Sequence, residues 1–274
     1  MTARHDAHDA SRAPAGASAR RPELVAQLRA LGVRDGDVLL VHTSFRAVRP
    51  VEGGPAGLID ALRDAVGPTG TLVMPSWGGD DDQPFDAART PVAADLGVVA
   101  EVFRRLPGVR RSVHSGALAA LGPAAAEITA DPLPLPPHRA ESPVGRVHDL
   151  DGLVLLLGVG HDADTTLHLA ELLAGVPYRT RKHVTVRGPD GAPTRLEYDE
   201  NDHCCLRFAL ADDWLRARGL QREGPVGSAH ARLVRSRDVV AVARDRLARD
   251  PLLFLHPLGE CEECDLARES VAGA

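Results

Sequence analysis

A histidine and a carboxylate stand three residues apart in the run Asp164-Thr165-Thr166-Leu167-His168-Leu169-Ala170-Glu171-Leu172. The run follows an apolar stretch, Leu153 to Leu157, and a tight Gly158-Val159-Gly160 turn. That order predicts a strand, a turn and a helix, with His168 and Glu171 in the helix's first turns at the strand's carboxyl end. Ligands of α/β proteins usually bind there. Residues three apart share a helix face, so the Glu171 carboxylate can orient the His168 ring. A neutral imidazole held this way is a general base near neutral pH.

Other segments carry possible binding chemistry. Val41-His42-Thr43-Ser44-Phe45-Arg46 leaves a strand, and Gly53-Gly54-Pro55 opens a helix soon after. Hydroxyls and amides at a strand end can donate to an oxyanion, and glycines before a helix let backbone approach phosphates. The Gly-Lys-Ser/Thr ending of a P-loop is missing, and a turn that simply needs two glycines explains the pair equally well. Arg110-Arg111-Ser112-Val113-His114 suits a phosphate-bearing ligand or solvated surface charge. Asp80-Asp81-Asp82 after Trp77, and the run Glu197 to Asp202 that includes Asp199 and Glu200, could hold a polycation or lie in solvated loops.

The cysteines form a separate group. They occur as Cys204-Cys205, preceded by His203, and as Cys261-Glu262-Glu263-Cys264, with His256 upstream. Two vicinal ligands, a Cys-x-x-Cys pair and two histidines are ample for a tetrahedral zinc site. Cys204, Cys205, Cys261 and Cys264 are the first choice, with His203 or His256 as alternatives. Closed sites of this kind are structural, so no catalytic task is expected of it.

Composition bounds the rest. Of 274 residues, 44% are hydrophobic and 26% charged, as in an ordinary soluble globular protein. The net charge is -6, and Lys182 is the only lysine. An acidic chain without a basic stripe argues against nucleic acid as partner and suits a cationic small molecule better. No run approaches the ~20 apolar residues that cross a bilayer, and residues 1–20 lack the apolar core of a secretory signal. They are expected to be a flexible tail on a cytoplasmic protein, with residues 21–274 as a single domain, monomeric or homodimeric.

Apolar spacing predicts a helix over Pro22–Leu31 and strands at Asp37–His42 and Thr71–Met74. Helices follow at Gly53–Val66 and Gly97–Leu106. A hairpin is expected at Lys182–Val186 and Thr194–Tyr198, around Pro189-Asp190-Gly191. Further helices are expected over Asn201–Arg218 and over Ser236–Arg249, with Ser236 as N-cap. Asp131–Pro137 is Pro-rich and should be loop. The fold class is α/β: a mostly parallel central sheet flanked by helices, with a β-hairpin and a helical C-terminal part.

Several of these segments, taken in order, closely resemble the aminoglycoside 3-N-acetyltransferases, the antibiotic N-acetyltransferase family distinct from the GNAT fold. They are Leu39-Leu40-Val41-His42-Thr43-Ser44-Phe45, Gly53-Gly54-Pro55-Ala56-Gly57-Leu58, Gly70 to Trp77, Arg111-Ser112-Val113-His114, Glu141 to Arg146, Leu156 to Gly160 and Thr165 to Glu171. The likeness runs from about Glu23 to Ser270. Asp131 to His138, Glu200 to Cys205 and Cys261 to Cys264 look like the class IV branch, associated with apramycin, gentamicin and tobramycin. The resemblance implies His168 as general base and Glu171 as its support. It implies acetyl-CoA as cosubstrate beside His42, Ser44, Arg46, Gly53, Gly54, Ser112 and His114, with Asp80, Asp81, Asp199 and Glu200 holding the drug. Two departures stand out: Asp164 replaces the family's usual Asn, and His114-Ser115 replaces His-Pro. Asp164 is therefore expected mainly to cap the helix.

Two other classes fit parts of the chain. A zinc-dependent amide hydrolase could use His161, Asp162, Asp164 and His168 around a metal. A non-catalytic binder of cationic drugs would need no acetyl donor.

Overall fold

In the computed structural model of the chain, residues 18–113, 116–130, 135–188 and 190–272 are described. Nine strands occur among them: β1 Val38–Thr43, β2 Thr71–Pro75, β3 Arg110–Arg111, β4 Leu118–Leu121, β5 Leu153–Leu157, β6 Thr180–Arg187, β7 Pro193–Glu200, β8 Gln221–Val226 and β9 Ala229–Arg235. The helices are α1 Arg21–Leu31, α2 Phe45–Val48, α3 Gly54–Val66, α4 Gly97–Arg104, α5 Ala125–Ile128, α6 Pro143–Asp149, α7 Thr166–Ala174, α8 Leu210–Ala217, α9 Ser236–Leu247 and α10 Glu262–Ala272. None is long and apolar enough to cross a membrane.

Seven strands form one sheet in the order β3-β4-β2-β1-β5-β9-β8. Its centre, β2-β1-β5, is parallel, the part that the short apolar runs announced. Both margins are antiparallel, β3-β4 pairing onto β2 and β9-β8 onto β5. Strand β9 alternates apolar and polar residues from Ala229 to Arg232, β8 opens on Gln221-Arg222-Glu223, and neither was anticipated. The central strands are mostly apolar because both faces are buried, with His42 and Thr43 at the end of β1 and Thr71 at the start of β2. Leu39, Val41, Leu72, Leu155 and Leu157 pack toward Leu24, Leu28, Leu58, Leu62 and Phe103 of α1, α3 and α4. Leu40, Val73, Val154 and Leu156 pack toward Val147, Leu167, Leu215 and Val240 of α6, α7, α8 and α9. Alternation along each strand thus feeds two cores.

Some boundaries differ from expectation. The hairpin β6–β7 is longer than the predicted pair of runs and forms its own two-stranded sheet. The helix expected from Asn201 begins only after a 3₁₀ turn at Leu206–Ala209. Asn201 to Cys205 are instead held by side-chain bonds to α7, described below. Ser236 is not the N-cap of α9: Arg235 occupies that position, and the buried Ser236 hydroxyl has no partner. Residues 1–17 of the expected tail, and residues 131–134 of the Pro-rich segment, lie outside the described residues. The tail's last part is tied down, because Ala19 pairs with Val51.

The turn after β5 sets where α7 begins. Gly158 has φ +73°, and a Cβ there would sit 2.5 Å from Ala47 Cβ. Its N–H donates to His230 O at 3.0 Å, which fastens the turn to β9. Gly158→Ala combines left-handed strain with overlap and is expected to cost about 2 kcal/mol. A thermal melt checks this; an unchanged midpoint would show that the turn relaxes freely.

Candidate functional site

The α7 segment starts where β5 ends, because Asp164 closes the connecting loop. Its carboxylate accepts from Thr166 N at 3.0 Å and from His161 Nδ1 at 3.0 Å. The first bond is the capping role expected of Asp164. His161 donates its other nitrogen to Gln221 Oε1 at 2.8 Å. Burial opposes charge on this ring, but the Asp164 bond and charge outweigh it and raise its pKa. With both nitrogens bonded and the ring fully buried, His161 is no metal ligand.

His168 Nδ1 lies 3.1 Å from Glu171 Oε2, so the pairing expected from the spacing is present. Glu171 is fully buried and gathers more than one imidazole. Asn201 Nδ2 donates to Oε2 at 3.2 Å, His203 Nε2 donates to Oε1 at 2.8 Å, and the Tyr178 hydroxyl donates to Oε1. Burial alone would raise this carboxyl's pKa, but the bonds from His168 and His203 reverse that and hold it at about 2. A carboxylate only accepts, so Nδ1 of His168 carries the hydrogen and Nε2 keeps its lone pair. That lone pair meets the Cys205 thiol, Sγ to Nε2 being 3.3 Å. Burial raises the Cys205 pKa and keeps the thiol protonated. The thiol also lies 3.2 Å from His203 O, a second acceptor within reach. Tyr178, Asn201 and His203 were not connected with this site by sequence spacing.

His168 stands between two hollows. A cleft of about 340 Å³ at the carboxyl ends of β1, β2 and β5 is lined by His42, Thr43, Trp77, Cys205 and Phe208, and also by Asp95, Asp162 and Asp164. His42 is buried, and burial lowers its pKa to about 4, so it is neutral. The Thr43 hydroxyl is buried without a hydrogen-bond partner. On the other side, a pocket of about 200 Å³ is lined by Trp77, Asp81, His138, Tyr198 and Glu200 together with His168. Hairpin and acidic loop meet here: Thr185 N donates to Asp81 O at 3.0 Å, and His183 bonds Asp82 at 2.8 Å.

Other expected site residues lie elsewhere. Asp81 and Glu200 face the acidic pocket, but Asp80 accepts from Asp82 N at 3.0 Å in an exposed turn and does not line it. Asp199 alternates to the other face of the hairpin and pairs with Arg181 at 3.0 Å. Of the residues expected beside the cosubstrate, only His42 lines the cleft. Ser44 N donates to Leu157 O at 3.0 Å, and Arg46 is exposed on α2. Gly53 and Gly54 (φ +74° and +61°) make the left-handed turn into α3. Ser112 Oγ is buried and accepts from Leu118 N at 3.1 Å. His114 lies outside the described residues. Arg111 is committed to carbonyls of Ser76 and Thr90, pinning the loop that carries Trp77, and its neighbour Arg110 is exposed.

The cysteine group divides. Cys204, Cys261 and Cys264 bring their sulfurs within 4.8 Å of one another. Cys205 turns to His168, and both nitrogens of His203 are engaged, by Glu171 and by Cys205 N. Neither belongs to the sulfur cluster. Cys204 and Cys264 are not a disulfide, since their sulfurs are 3.7 Å apart.

Comparison with known proteins identifies an acyl-transferring enzyme class. The family model described as aminoglycoside 3-N-acetyltransferase matches residues 40–248. Aminoglycoside N(3)-acetyltransferase IV of Salmonella sp is 65% identical, over 87% of this chain and 91% of that protein. A crystallised variant of aminoglycoside acetyltransferase AAC(3)-IVa in complex with a gentamicin superposes with TM-score 0.91 at 63% identity, covering 93% of this chain and 98% of that one. Its complex with apramycin gives TM-score 0.85 at 61% identity, covering 90% and 98%. The chain belongs to the aminoglycoside 3-N-acetyltransferase family, within the class IV branch. Neither the hydrolase nor the non-catalytic binder is supported.

Removing the shared carboxylate should expose its structural weight. Glu171→Ala strands two imidazoles and a phenol in the interior and is expected to cost about 3 kcal/mol or more. A carboxyl held below its unfolded value stabilises fully above 4.5 and loses that contribution as pH falls toward about 2. Denaturant melts across that window should therefore show a shallower acid dependence in Glu171→Ala. Parallel curves for the two proteins would remove Glu171 from the account.

Proposed function

We propose that the enzyme transfers the acetyl group of acetyl-CoA to the 3-amine of 2-deoxystreptamine aminoglycosides of the apramycin, gentamicin and tobramycin type. The observation that carries this reading is the position of His168, braced by buried Glu171 between a cleft at the strand ends and a pocket that holds Asp81 and Glu200. The drug's ammonium groups enter the pocket holding Asp81 and Glu200, where like-signed walls concentrate cations. The pantetheine arm reaches His168 through the cleft. A protonated amine cannot attack a thioester, so Nε2 takes a proton from the 3-ammonium, directly or through water. The amine displaces the Cys205 thiol, which turns to His203 O. The freed amine then attacks the acetyl carbonyl. Ser44 is a poor oxyanion donor because its N–H is already bonded; the unpartnered Thr43 hydroxyl in the cleft is the better one. Coenzyme A leaves as the thiol, and the product amide has lost a positive charge. That loss weakens drug binding to ribosomal RNA, where phosphate attraction is a large term.

His168→Ala is expected to lower kcat by about two to four orders of magnitude. Purified protein, acetyl-CoA, an aminoglycoside panel and a thiol-detecting reagent supply the measurement. Near-normal kcat at saturating drug would reject the base, and thiol release without an acetylated drug would reject the substrate class.

Zinc on Cys204, Cys261 and Cys264 is proposed as a structural tie between the Asn201–Cys205 segment and α10. The 3.7 Å between two of these sulfurs matches the edge of a tetrahedron with Zn–S of about 2.3 Å. His256, the alternative ligand offered by the sequence, is not among the residues whose donor atoms gather there, which leaves the fourth position to a ligand from outside the cluster. Metal analysis should find one zinc per chain, and chelation should lower the melting temperature before it touches kcat. Metal-free protein with an unchanged melt would refute the site.

A further inference from the structure

The acidic pocket holds a second imidazole on a second, partly buried carboxylate. His138 Nδ1 lies 2.9 Å from Glu200 Oε1, much as His168 Nδ1 meets Glu171. The two rings stack, with centroids 4.8 Å apart and planes 25° from parallel. Burial pushes the Glu200 carboxyl up, but the hydrogen bond from His138, with Lys182 nearby, outweighs it and holds the group below the usual range. Glu200 is therefore an anion that only accepts. Nδ1 of His138 carries the hydrogen, and its second nitrogen is an acceptor. The pocket thus contains two acceptor imidazoles one ring-stack apart. That spacing is comparable to the separation of two amines on alternate carbons of a six-membered ring, the 1,3-diamine of an aminocyclitol.

We propose that His138, held by Glu200 and stacked on His168, recognises the aminocyclitol amine two carbons from the one that is acetylated. It thereby acts as a specificity-determining residue. This rests on reading the pocket as the aminocyclitol site. His168 takes the proton of the reacting amine, while His138 accepts a hydrogen bond from its 1,3-neighbour and sets which amine faces the base. A ring that merely packed against His168 would affect every substrate alike.

The test compares an aminoglycoside having both ring amines with its analogue deaminated at the second position. Wild-type enzyme is expected to prefer the diamine by about tenfold or more in kcat/KM, the scale of one hydrogen bond to a charged group. Turnover of the diamine by the wild type checks the parent reading independently. His138→Phe keeps a stacked ring without an acceptor. It should raise KM for the diamine by about tenfold more than for the deaminated analogue, so that the preference disappears. His138→Gln, which restores an acceptor, should recover part of it. Equal wild-type rates on both substrates, or an equal loss of kcat on both in His138→Phe, would overturn the proposal. If both variants lose all turnover of either drug, the ring serves the base alone and the specificity role is likewise overturned.

Discussion

A buried carboxylate without a counter-ion is among the costlier things a fold can hold, and Glu171 is completely enclosed. Its charge is sustained by hydrogen bonds from His168, Tyr178, Asn201 and His203. Those donors come from α7, from the chain just after it, and from the segment after the hairpin. Each element must therefore reach the same point, which couples the parallel core to the hairpin and to the chain entering α8. The irregular backbone from Asn201 to Cys205 follows from this: a helix there would turn Asn201 and His203 away from the anion. Satisfying one charge outweighs several residues of helix propensity.

The same constraint orients His168. With Nδ1–H committed to Glu171, His168 cannot exchange tautomers without losing a charge-assisted bond, so its lone pair stays at Nε2. His203 also keeps one tautomer, donating to Glu171 and accepting from Cys205 N. That second commitment fixes the loop that brings Cys205 against Nε2. His168, His203 and Cys205 are thus ordered outward from the one anion, Glu171. Second-layer contacts of this kind hold a reactive nitrogen more firmly than packing alone.

Much of this was legible in the chain. Strand β5, the glycine turn and the spacing of His168 and Glu171 put the pair on one helix face, because helical geometry is local. The parallel centre was legible too, since doubly buried strands are mostly apolar. What sequence spacing could not show were contacts made across the fold. Tyr178 looks like an ordinary core residue, and His203 like an alternative metal ligand, until the Asn201–Cys205 segment comes back against α7. Cys205 looked like a metal ligand because it adjoins Cys204, yet its left-handed backbone (φ +61°) aims it at the opposite partner. Asp80 and Asp199 failed for a related reason: clustered carboxylates share a sign, but turn geometry and strand alternation decide which of them face inward.

Negative charge lies on both sides of His168. Asp81 and Glu200 line the hairpin-side pocket, while Asp95, Asp162 and Asp164 line the cleft beside neutral His42 and the Thr43 hydroxyl. Asp95 and Asp162 are exposed, so solvent screens them, whereas Asp164 is buried and bonded to His161 and to Thr166 N. The His161–Asp164 pair therefore does more than cap α7. It fixes the one buried carboxylate of the cleft on partners of its own, and so lets a helix terminus and a binding cleft share one loop.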